Sequence, residues 1–489
     1  MIKKRLNIVN ILTDDQGAWA MRCAGNDEIA TPNLDRLAAE GVRFDNFYCA
    51  SPVCSPARAS LLTGEMPSAH GVHDWLSGGN GSSDRFPDAG FRDRGIEYLE
   101  GHPSYIAELA KAGYRCALSG KWHLGNQEDK KEGFEGWYVM FGGGCAYYHP
   151  LMFDGAEMKY IPFHGTYVTD LITDRAIGFI DEYAAGDSPF CVEVHYNAPH
   201  SPWSHDNHPE EYLRLYRDCP FDSAPNLPLH PRQVTSAPMG DTPEKRRENL
   251  IGYYAAVTAM DANAGRIIAR LEELGIYDDT VITFTSDNGM NMGHHGLWGK
   301  GNATYPPNMY DTSVKVPFII KAPLIAAPGK VVHMTASHCD IFPTLCGIAG
   351  VSFVPGRYQP GVSLLPRLTG ERGDGSRGVC VYDEYGFVRM LRKGDYKLVR
   401  RYIGDDDELY DMVSDPDETM NLIADPKYAG LVSGMKAELE EWFAKYGTLE
   451  CDGRNSLTLT GSGQRDLCHK PDAFTDVNRV YNTGEPCRR

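Results

Sequence analysis

Cys54-Ser55-Pro56-Ala57-Arg58-Ala59-Ser60-Leu61-Leu62-Thr63-Gly64 follows a short apolar run and predicts the start of a helix. Pro56 suits the first helical turn, where a missing N–H costs nothing. A helix N-terminus carries a positive field from its unpaired N–H groups, and Arg58 adds a fixed cation nearby. We therefore expect Cys54 to lie where a reactive sulfur centre and an anionic substrate would both be stabilised.

The pattern Cys-x-Pro-x-Arg followed by Leu-Thr-Gly resembles the signature of the type I sulfatases, which belong to the alkaline-phosphatase-like superfamily. The resemblance implies that a formylglycine-generating maturation enzyme oxidises Cys54 to Cα-formylglycine, whose hydrated aldehyde is the nucleophile. It therefore implies a sulfuric ester hydrolase. The five signature residues alone also fit a buried cysteine before a capped helix, so the rest of the chain has to decide between these interpretations.

The composition is that of a large acidic enzyme. The chain has 489 residues, of which 42% are hydrophobic and 23% charged, and its formal net charge is -18. It is too long for one small core, and the lack of a basic run argues against a nucleic-acid partner. Because an acidic surface repels anions at long range, any attraction of a sulfate ester must be local. The 13 cysteines are scattered without a paired framework, which favours mostly free thiols.

The N-terminus Met1-Ile2-Lys3-Lys4-Arg5-Leu6 is basic, but the apolar run that follows is too short and too interrupted for a signal sequence. No apolar stretch is long enough to span a membrane. The chain is therefore expected to be cytoplasmic, or periplasmic or secreted if a leader has been trimmed. The sequence leaves the oligomeric state open.

The pattern of strands and helices predicts an α/β protein in two parts. Short buried strands are predicted at residues 6–12, 190–196 and 280–285, and long helices at 166–183 and 247–274. Together with the resemblance, they imply a large, mixed, mostly parallel sheet sandwiched by helices, in a catalytic domain of residues 1–372. A Gly-, Arg- and Asp-rich stretch marks the start of a smaller α+β subdomain, residues 373–489, with an antiparallel sheet, a helix at 428–446 and an irregular tail.

Two segments are expected to lie outside regular structure. Residues 134–154 are rich in glycine and aromatic residues and predict an irregular loop over a site. Residues 203–243 are polar and rich in proline, and predict a long surface excursion.

Two polar pairs follow predicted strands, Asp14 and Asp15 after the first and Asp287 and Asn288 after a later one. Their oxygen atoms suit Ca²⁺ or Mg²⁺, and ligands of open α/β sheets lie beyond the carboxyl ends of the strands. Each pair taken alone fits a turn or an N-cap equally well. The sulfatase resemblance implies that all four bind one divalent cation, Ca²⁺ with Mg²⁺ as the alternative, together with the modified Cys54.

The segment Gly120-Lys121-Trp122-His123-Leu124-Gly125 matches a second and more specific family signature. Lys121 and His123 are two positions apart on an extended segment, so their side chains point to one side. The resemblance implies that Lys121 binds the sulfate and that His123 deprotonates the formylglycine hydrate.

Further along the chain, His200 in Pro-His-Ser-Pro and Lys300 after His-Gly-Leu-Trp-Gly match the remaining sulfate-side groups of the family. The resemblance implies that His200 is the general acid for the leaving alcohol and that Lys300 neutralises developing charge. Arg58 would brace the hydrate and the surroundings of the cation. The matches run in family order from residue 6 to about 425; Ala57, Cys116 and His294 depart from the common pattern without touching a catalytic role.

Five residues are candidates for contacts to substrate: His73, Asp74, Trp75, Trp203 and His295. Aromatic and polar side chains in loops near the motifs fit a sugar ring, which makes an oligosaccharide or small-molecule sulfate ester the expected substrate. A phosphonate monoester hydrolase or phosphodiesterase of the same superfamily is the first alternative. A binding protein whose cysteine is never converted is the second.

Overall fold

The structure, a computed structural model, describes residues 5–81, 95–371, 377–382, 386–403, 406–455, 463–470 and 473–474. Within these residues, ten strands form one large sheet and four form a separate antiparallel sheet. The predicted α/β class, with a large mixed sheet and a smaller antiparallel one, is confirmed. The expected domain boundary at 372/373 lies outside the described residues.

The strands are, in chain order, β1 (Asn7–Thr13), β2 (Val42–Phe44), β3 (Phe47–Tyr48), β4 (Arg115–Lys121), β5 (Phe134–Met140), β6 (Leu151–Asp154), β7 (Lys159–Pro162), β8 (Phe190–His195), β9 (Thr280–Ser286), β10 (Asn291–Met292), β11 (Trp298–Gly299), β12 (Phe318–Lys321), β13 (Lys330–Val332), β14 (Ala336–Ser337), β15 (Val379–Tyr382), β16 (Val388–Lys393), β17 (Tyr396–Arg401) and β18 (Glu408–Asp411).

The α-helices are α1 (Pro32–Glu40), α2 (Cys54–Thr63), α3 (Pro67–His70), α4 (Tyr105–Lys111), α5 (Val168–Ala184), α6 (Glu210–Leu213), α7 (Pro243–Glu273), α8 (Asp311–Val314), α9 (Ile341–Ala349), α10 (Leu365–Leu368) and α11 (Ala429–Tyr446). None of the helices that the structure describes combines the length and the apolar character needed to cross a bilayer.

The large sheet has the strand order β13-β2-β12-β9-β1-β8-β4-β5-β6-β7. Strands β9, β1, β8, β4 and β5 are parallel to one another, whereas β12 and β6 join this block in the antiparallel direction. Because β1 and β9 run in parallel with Thr13 opposite Ser286, the residues that follow both strands emerge side by side. This register positions the site.

Strand β1 lies between two hydrophobic cores. Ile8 and Leu12 pack into the core that also contains residues of α4 and α9. Val9 and Ile11 point to the opposite face and pack with residues of α5 and α7. A strand that is covered on both faces needs apolar residues at consecutive positions, which explains the near-continuous apolar run in the sequence.

Helix α7 begins at Pro243, four residues before the predicted start. The side chain of Thr242 accepts a hydrogen bond from Lys245 N, and Pro243 occupies the first helical position. An N-cap threonine followed by proline is a strong signal for a helix start. The first turn is polar, so apolar periodicity alone predicts a later start.

The prediction of an irregular loop over residues 134–154 is wrong at both ends of that range. Residues Phe134–Met140 form β5 and Leu151–Asp154 form β6, and only the residues between these strands leave the sheet. This position of β5 requires a glycine, because a Cβ atom on Gly136 would lie 2.6 Å from Phe179 Cε1 and 2.7 Å from Ala117 Cβ. The glycine that suggested a loop is thus a packing requirement within a strand.

The C-terminal sheet has the order β15-β16-β17-β18, and all its pairs are antiparallel. Helix α11 covers it through Leu439 and Phe443, which pack with Leu391 and Leu398 of the sheet. The predicted antiparallel sheet is thus confirmed, with four strands. The described residues 463–470 of the tail return to the loop that follows α3, where Gln464 forms a bridge with Leu76.

Candidate active site

Asp14, Asp15, Asp287 and Asn288 meet beyond the carboxyl ends of β1 and β9. The backbone N–H of Asp15 donates to Asp287 Oδ1 at 3.1 Å, and Asn288 Nδ2 donates to Asp15 Oδ1 at 2.8 Å. One ligand atom each from Asp14, Asp15, Asp287 and Cys54 lies within 4.8 Å of the others. The structure thus brings the predicted metal residues together in one buried cluster.

The donor atoms of this cluster fit a hard divalent cation. Asn288 Oδ1 is buried and has no hydrogen-bond partner among the described residues, so one oxygen of the predicted set is left for a ligand. Burial, and then the neighbouring Asp287, raise the pKa of Asp14 above its ordinary value. Crowded carboxylates of this kind are stabilised by a cation held between them.

Cys54 is the first residue of α2, as predicted, and its side chain reaches the carboxylate cluster. Its Sγ atom lies 3.3 Å from Asp14 Oδ1 and accepts a hydrogen bond from Lys300 Nζ at 2.8 Å. Burial, followed by the charge of Asp14, raises the pKa of the thiol well above its ordinary value. The unconverted thiol is therefore held in its neutral form beside the carboxylate cluster.

Arg58 lies on α2 and its side chain is 2% exposed. The guanidinium donates from Nε to Asp287 Oδ2 at 2.9 Å and from Nη1 to the Lys121 carbonyl at 3.2 Å. Arg58 therefore fixes a residue of the carboxylate cluster and the end of β4.

Lys121 is the last residue of β4, and His123 lies two positions beyond it. Lys121 is fully buried, and its Nζ donates to Asp14 Oδ2. His123 Nε2 lies 3.1 Å from the carbonyl oxygen of Leu76. Because a carbonyl only accepts, Nε2 carries the hydrogen and Nδ1 carries the lone pair. Nδ1 is buried and has no hydrogen-bond partner in the described part of the chain.

The environment of His123 keeps its imidazole neutral. Burial, followed by the charges of Lys121 and Arg58, lowers the pKa of His123 well below its ordinary value. A neutral imidazole with a free Nδ1 lone pair has the form of a general base. His123 also has a φ of 52°, an unusual backbone conformation for a residue with a side chain.

His200 and Lys300 approach the cluster from the side of Asp15. His200 Nδ1 donates to the Ser201 carbonyl at 2.7 Å, and its Nε2 lies 3.7 Å from Asp15 Oδ2. Lys300 Nζ donates to Asp15 Oδ1 at 2.5 Å. Burial lowers the pKa of Lys300, but Asp15 and Cys54 outweigh it and hold the pKa well above its ordinary value, so the ammonium stays charged.

A cavity of about 400 Å³ opens onto these groups. Its lining residues are Val53, Cys54, Trp75, Leu76, Ser77, Asn80, His123, Gly142, Gly143, Gly144, His200, Ser236, Lys300 and Asn302. The loop of residues 142–144 lies against both histidines: a Cβ atom on Gly143 would be 2.2 Å from His123 Cε1, and one on Gly144 would be 3.1 Å from His200 Cε1. The expected glycine-rich cover is thus limited to this short loop.

Among the described residues that line the cavity, Trp75 is the one candidate for substrate contact from the predicted group of five. Its neighbours His73 and Asp74 are buried, at 2% and 0% exposure. His73 N donates to Gln464 Oε1 at 2.8 Å, and Asp74 Oδ2 accepts from Gly463 N. Both residues hold the tail of the chain, and neither is among the described residues that line the cavity.

Trp203 and His295 are also placed away from the cavity lining. Trp203 is 1% exposed, and its Nε1 donates to the Pro199 carbonyl at 2.8 Å. It packs in the core next to Tyr253, so the predicted surface excursion begins with a buried residue. The ring of His295 stacks on Tyr310 at a centroid distance of 3.8 Å.

Sequence reasoning missed the groups that hold His123 and the cavity wall. The Leu76 carbonyl acts through the backbone, and Gly143 acts through the absence of a side chain. The side-chain amide of Gln464 binds backbone groups, which can belong to any residue type. The Gly142-Gly143-Gly144 run is the one signal in the sequence, and it predicts a loop without indicating what packs on it.

Comparison with known proteins agrees with the fold and assigns the family. The model of the family described as sulfatase matches residues 6–351, and one described as N-sulphoglucosamine sulphohydrolase, C-terminal, matches residues 293–445. The chain therefore belongs to the sulfatase family and is a sulfuric ester hydrolase.

Two relatives and two solved structures illustrate the similarity. An N-acetylglucosamine-6-O-sulfatase of Bacteroides thetaiotaomicron is 29% identical over 94% of this chain and 90% of its own length. A choline-sulfatase of Rhizobium meliloti is 30% identical, over 84% and 80% respectively. A structure in complex with its substrate D-glucosamine-2-N,6-O-disulfate has a TM-score of 0.76 and 27% identity, covering 92% of this chain and 99% of that chain. The phosphonate monoester hydrolase of Agrobacterium radiobacter shares the fold, with a TM-score of 0.69 and 24% identity over 90% of this chain and 96% of that chain.

Proposed function

We propose that this sulfatase hydrolyses a sulfate monoester of a carbohydrate, using formylglycine formed from Cys54 and one divalent cation, Ca²⁺ or alternatively Mg²⁺. One observation carries the proposal: Cys54 contacts both a buried carboxylate cluster and a buried lysine. An unmodified structural cysteine has no need of such neighbours.

The charges of the site favour an anionic substrate once a cation is bound. Asp14, Asp15 and Asp287 carry three negative charges if ionised, and Arg58, Lys121 and Lys300 carry three positive ones. A divalent cation held by the three carboxylates, Asn288 and residue 54 would leave the site net positive. It would polarise a sulfate oxygen and lower the barrier to attack on sulfur. The local attraction that an acidic protein needs for such a substrate would thus arise within the site.

A formylglycine hydrate supplies a nucleophilic hydroxyl and a second hydroxyl whose deprotonation releases sulfate, a step that an ordinary cysteine or serine lacks. The protein's own residues account for the proton transfers and for charge stabilisation. Lys121 and Lys300 would bind the sulfate oxygens, and His123 would accept the proton through Nδ1. His200 would donate a proton from Nε2 to the leaving alcohol.

The conversion of Cys54 is tested by peptide mass spectrometry. Oxidation of the thiol to the aldehyde lowers the mass of the peptide carrying residue 54 by roughly 18 Da, and only converted protein should be active. Cys54→Ala and Cys54→Ser should both lose turnover. Normal turnover by purified Cys54→Ala would exclude the mechanism and favour the interpretation as a different type of hydrolase.

The choice between a sulfatase and a phosphonate monoester hydrolase is tested with matched esters. Sulfate, phosphate and phosphonate monoesters of one alcohol should be compared by kcat/KM on converted protein. We expect the sulfate ester to be preferred. A higher kcat/KM for the phosphonate would favour the phosphonate monoester hydrolase. Saturable binding of the ester by protein in which Cys54 is never converted would favour a binding protein.

A carbohydrate substrate is supported by relatives that act on sulfated sugars and by Trp75, which lines the cavity and is 37% exposed. An exposed indole at a cavity wall offers a flat apolar face to a sugar ring. Trp75→Ala should raise KM for a sulfated saccharide and leave KM for a small alkyl sulfate unchanged. Equal changes for both substrates would contradict a role in recognising the sugar.

A further inference from the structure

The loop of residues 71–77 forms one wall of the active-site cavity and touches the catalytic groups through its backbone. Trp75, Leu76 and Ser77 line the cavity. The carbonyl of Leu76 accepts from His123 Nε2 at 3.1 Å, and its N–H donates to Ser55 Oγ at 3.1 Å. The position of Leu76 therefore sets the orientation of His123 relative to the first turn of α2.

Gln464, from the far end of the chain, holds this loop at alternate positions. Its side chain accepts from His73 N at 2.8 Å and donates to Gly71 O at 3.0 Å. Its backbone N–H donates to Trp75 O at 2.9 Å, and its carbonyl accepts from Ser77 N at 2.9 Å. Gln464 is fully buried, so these bonds have no water to replace them.

Only an amide satisfies both sides of this contact. The oxygen of Gln464 faces an N–H group, while its nitrogen faces two carbonyls, those of Gly71 and Asp466. A carboxylate at this position would place negative charge against two carbonyl oxygens, and an apolar side chain would leave buried polar groups unpaired.

We propose that Gln464 is a positioning residue for catalysis, which keeps His123 in its Nε2-protonated form by holding Leu76 in place. The effect on turnover rests on the proposed role of His123 as the base. The effect on the loop and on the tautomer does not, and it can be measured without substrate.

The test compares Gln464→Glu with Gln359→Glu. Gln359 also bridges two backbone groups, accepting from Gly356 N at 2.7 Å and donating to Thr63 O at 2.6 Å, but it lies at the opposite end of α2. We expect Gln464→Glu to lower kcat by about tenfold or more with little change in KM for a small sulfate ester, and Gln359→Glu to keep kcat near that of the converted parent protein. If Gln464→Glu fails to fold, Gln464→Met has the same length without the charge.

Two further measurements separate the proposal from the proposed function. Hydrogen exchange in the peptide covering residues 71–77 should be faster in the Gln464 variant than in the control. Nitrogen-15 histidine spectra, assigned with His123→Asn, should show the Nε2-protonated form of His123 in the parent protein and a mixture in the variant. An unchanged tautomer, or unchanged kcat in an active protein, would overturn the proposal. Inactivity of the converted parent protein would instead count against the proposed function.

A second observation concerns two thiols at the base of the same loop. Cys451 Sγ and Cys468 Sγ lie 3.6 Å apart, and both residues are partly accessible. Both sulfurs face Gly71, where a Cβ atom would lie 2.9 Å from Cys468 Sγ and 3.3 Å from Cys451 Sγ. The two thiols thus lie where the segment that follows α11 meets the segment that carries Gln464.

We infer that Cys451 and Cys468 are a disulfide-forming pair. Bond formation releases one proton from each thiol and two electrons in total. Oxidised glutathione is a suitable acceptor, since it takes up both electrons and both protons and leaves as two molecules of reduced glutathione. The sulfur atoms would have to approach from 3.6 Å to about 2.05 Å. Two partly accessible side chains can make this short movement.

The pair is tested on the full chain with oxidised glutathione, followed by alkylation, digestion and mass spectrometry. We expect a linked peptide containing residues 451 and 468 and a loss of roughly 2 Da. Cys116 and Cys191 are the matched control, because they lie opposite one another on β4 and β8 but are fully buried, and they should stay reduced. Full alkylation of both residues 451 and 468 after oxidation, or glutathione attached to each of them separately, would overturn the inference.

Discussion

Lys300 donates a hydrogen bond from Nζ to Cys54 Sγ at 2.8 Å. The same ammonium binds Asp15 Oδ1 at 2.5 Å, so it lies between the proposed nucleophile and the carboxylate cluster. Burial lowers its pKa, but Asp15 and Cys54 raise it more, and the net pKa is well above the ordinary value. A positive charge is therefore fixed beside residue 54 at neutral pH, where the proposed mechanism would develop negative charge.

Lys300→Met should lower kcat/KM for the sulfate ester by about 10²- to 10³-fold, because it removes a preorganised charge from the reacting centre. Lys321→Met is the control: Lys321 is 6% exposed and its Nζ donates to the Tyr277 carbonyl at 2.7 Å, outside the site. The control should lose thermal stability but retain kcat/KM. A Lys300→Met enzyme with kcat/KM close to that of the parent would show that this charge is not used.

Chelation should remove both activity and stability, and Ca²⁺ should restore them. Binding to the folded state at a concentration of 100 times Kd adds about 2.7 kcal/mol to the free energy of unfolding. Asp287→Asn should weaken Ca²⁺ binding in calorimetric titrations, since Asp287 belongs to the carboxylate cluster. Asp261→Asn changes a buried acid of α7, which accepts hydrogen bonds from Asn33 N and Leu34 N at the start of α1, and should leave Ca²⁺ affinity intact. Equal affinity in all three proteins would locate any Ca²⁺ site elsewhere.

Gly143→Ala should lower kcat/KM by at least about tenfold, because the new Cβ atom would displace the imidazole of His123. That Cβ atom would lie 2.2 Å from His123 Cε1, far below a van der Waals distance. Gly178→Ala in α5 is the matched control, since nothing lies within 4 Å of a Cβ atom there. It should stabilise the helix by about 0.5–1 kcal/mol and keep the kinetics. Unchanged kinetics in Gly143→Ala would mean that His123 tolerates displacement.

His73 should make the protein less stable as the pH falls. Burial, followed by the charge of Arg389, lowers its pKa from 6.5 to about 3. The unfolded chain therefore gains a proton below pH 6.5 while the folded chain does not, so the stabilising contribution is complete above that pH. As the pH falls from 6.5 towards 3, this contribution to the free energy of unfolding is lost, by up to about 1.4 kcal/mol per pH unit.

The measurement is the urea midpoint of the parent and of His73→Gln at pH 8 and pH 5. The variant should be less stable at pH 8, since it changes the hydrogen bond between His73 Nδ1 and Tyr382 Oη, and the difference should shrink at pH 5. A difference that is the same at both pH values would contradict the assigned cause.

The sequence predicted those parts of the fold and site that depend on local patterns. The apolar run before Asp14 predicted β1, because a strand that is buried on both faces is apolar at consecutive positions. Residues at the ends of parallel neighbours had to emerge together, and Asp15 and Asp287 do so. Cys54 begins its helix as the proline and the preceding extended residues indicated.

What the sequence did not predict depends on contacts between distant segments. Trp203 and Asp74 look like loop residues until the core or the tail covers them. Gly136 suggests a loop in the sequence because the Phe179 ring that requires a glycine there lies on another element. The proposed positioning role of Gln464 depends on hydrogen bonds to backbone atoms of the loop of residues 71–77. Backbone atoms are the same in every residue type, so these bonds leave no pattern in the sequence of the loop.

The bond between Asp15 and Asp287 joins residues 272 positions apart, and that between His73 and Gln464 joins residues 391 positions apart. A growing chain on the ribosome therefore has no reaction centre until β9 has been made and inserted beside β1. Such long-range pairing is slow compared with helix formation. A chain terminated before residue 287 would lack part of the proposed site. It would therefore be inactive whether or not residue 54 had been converted.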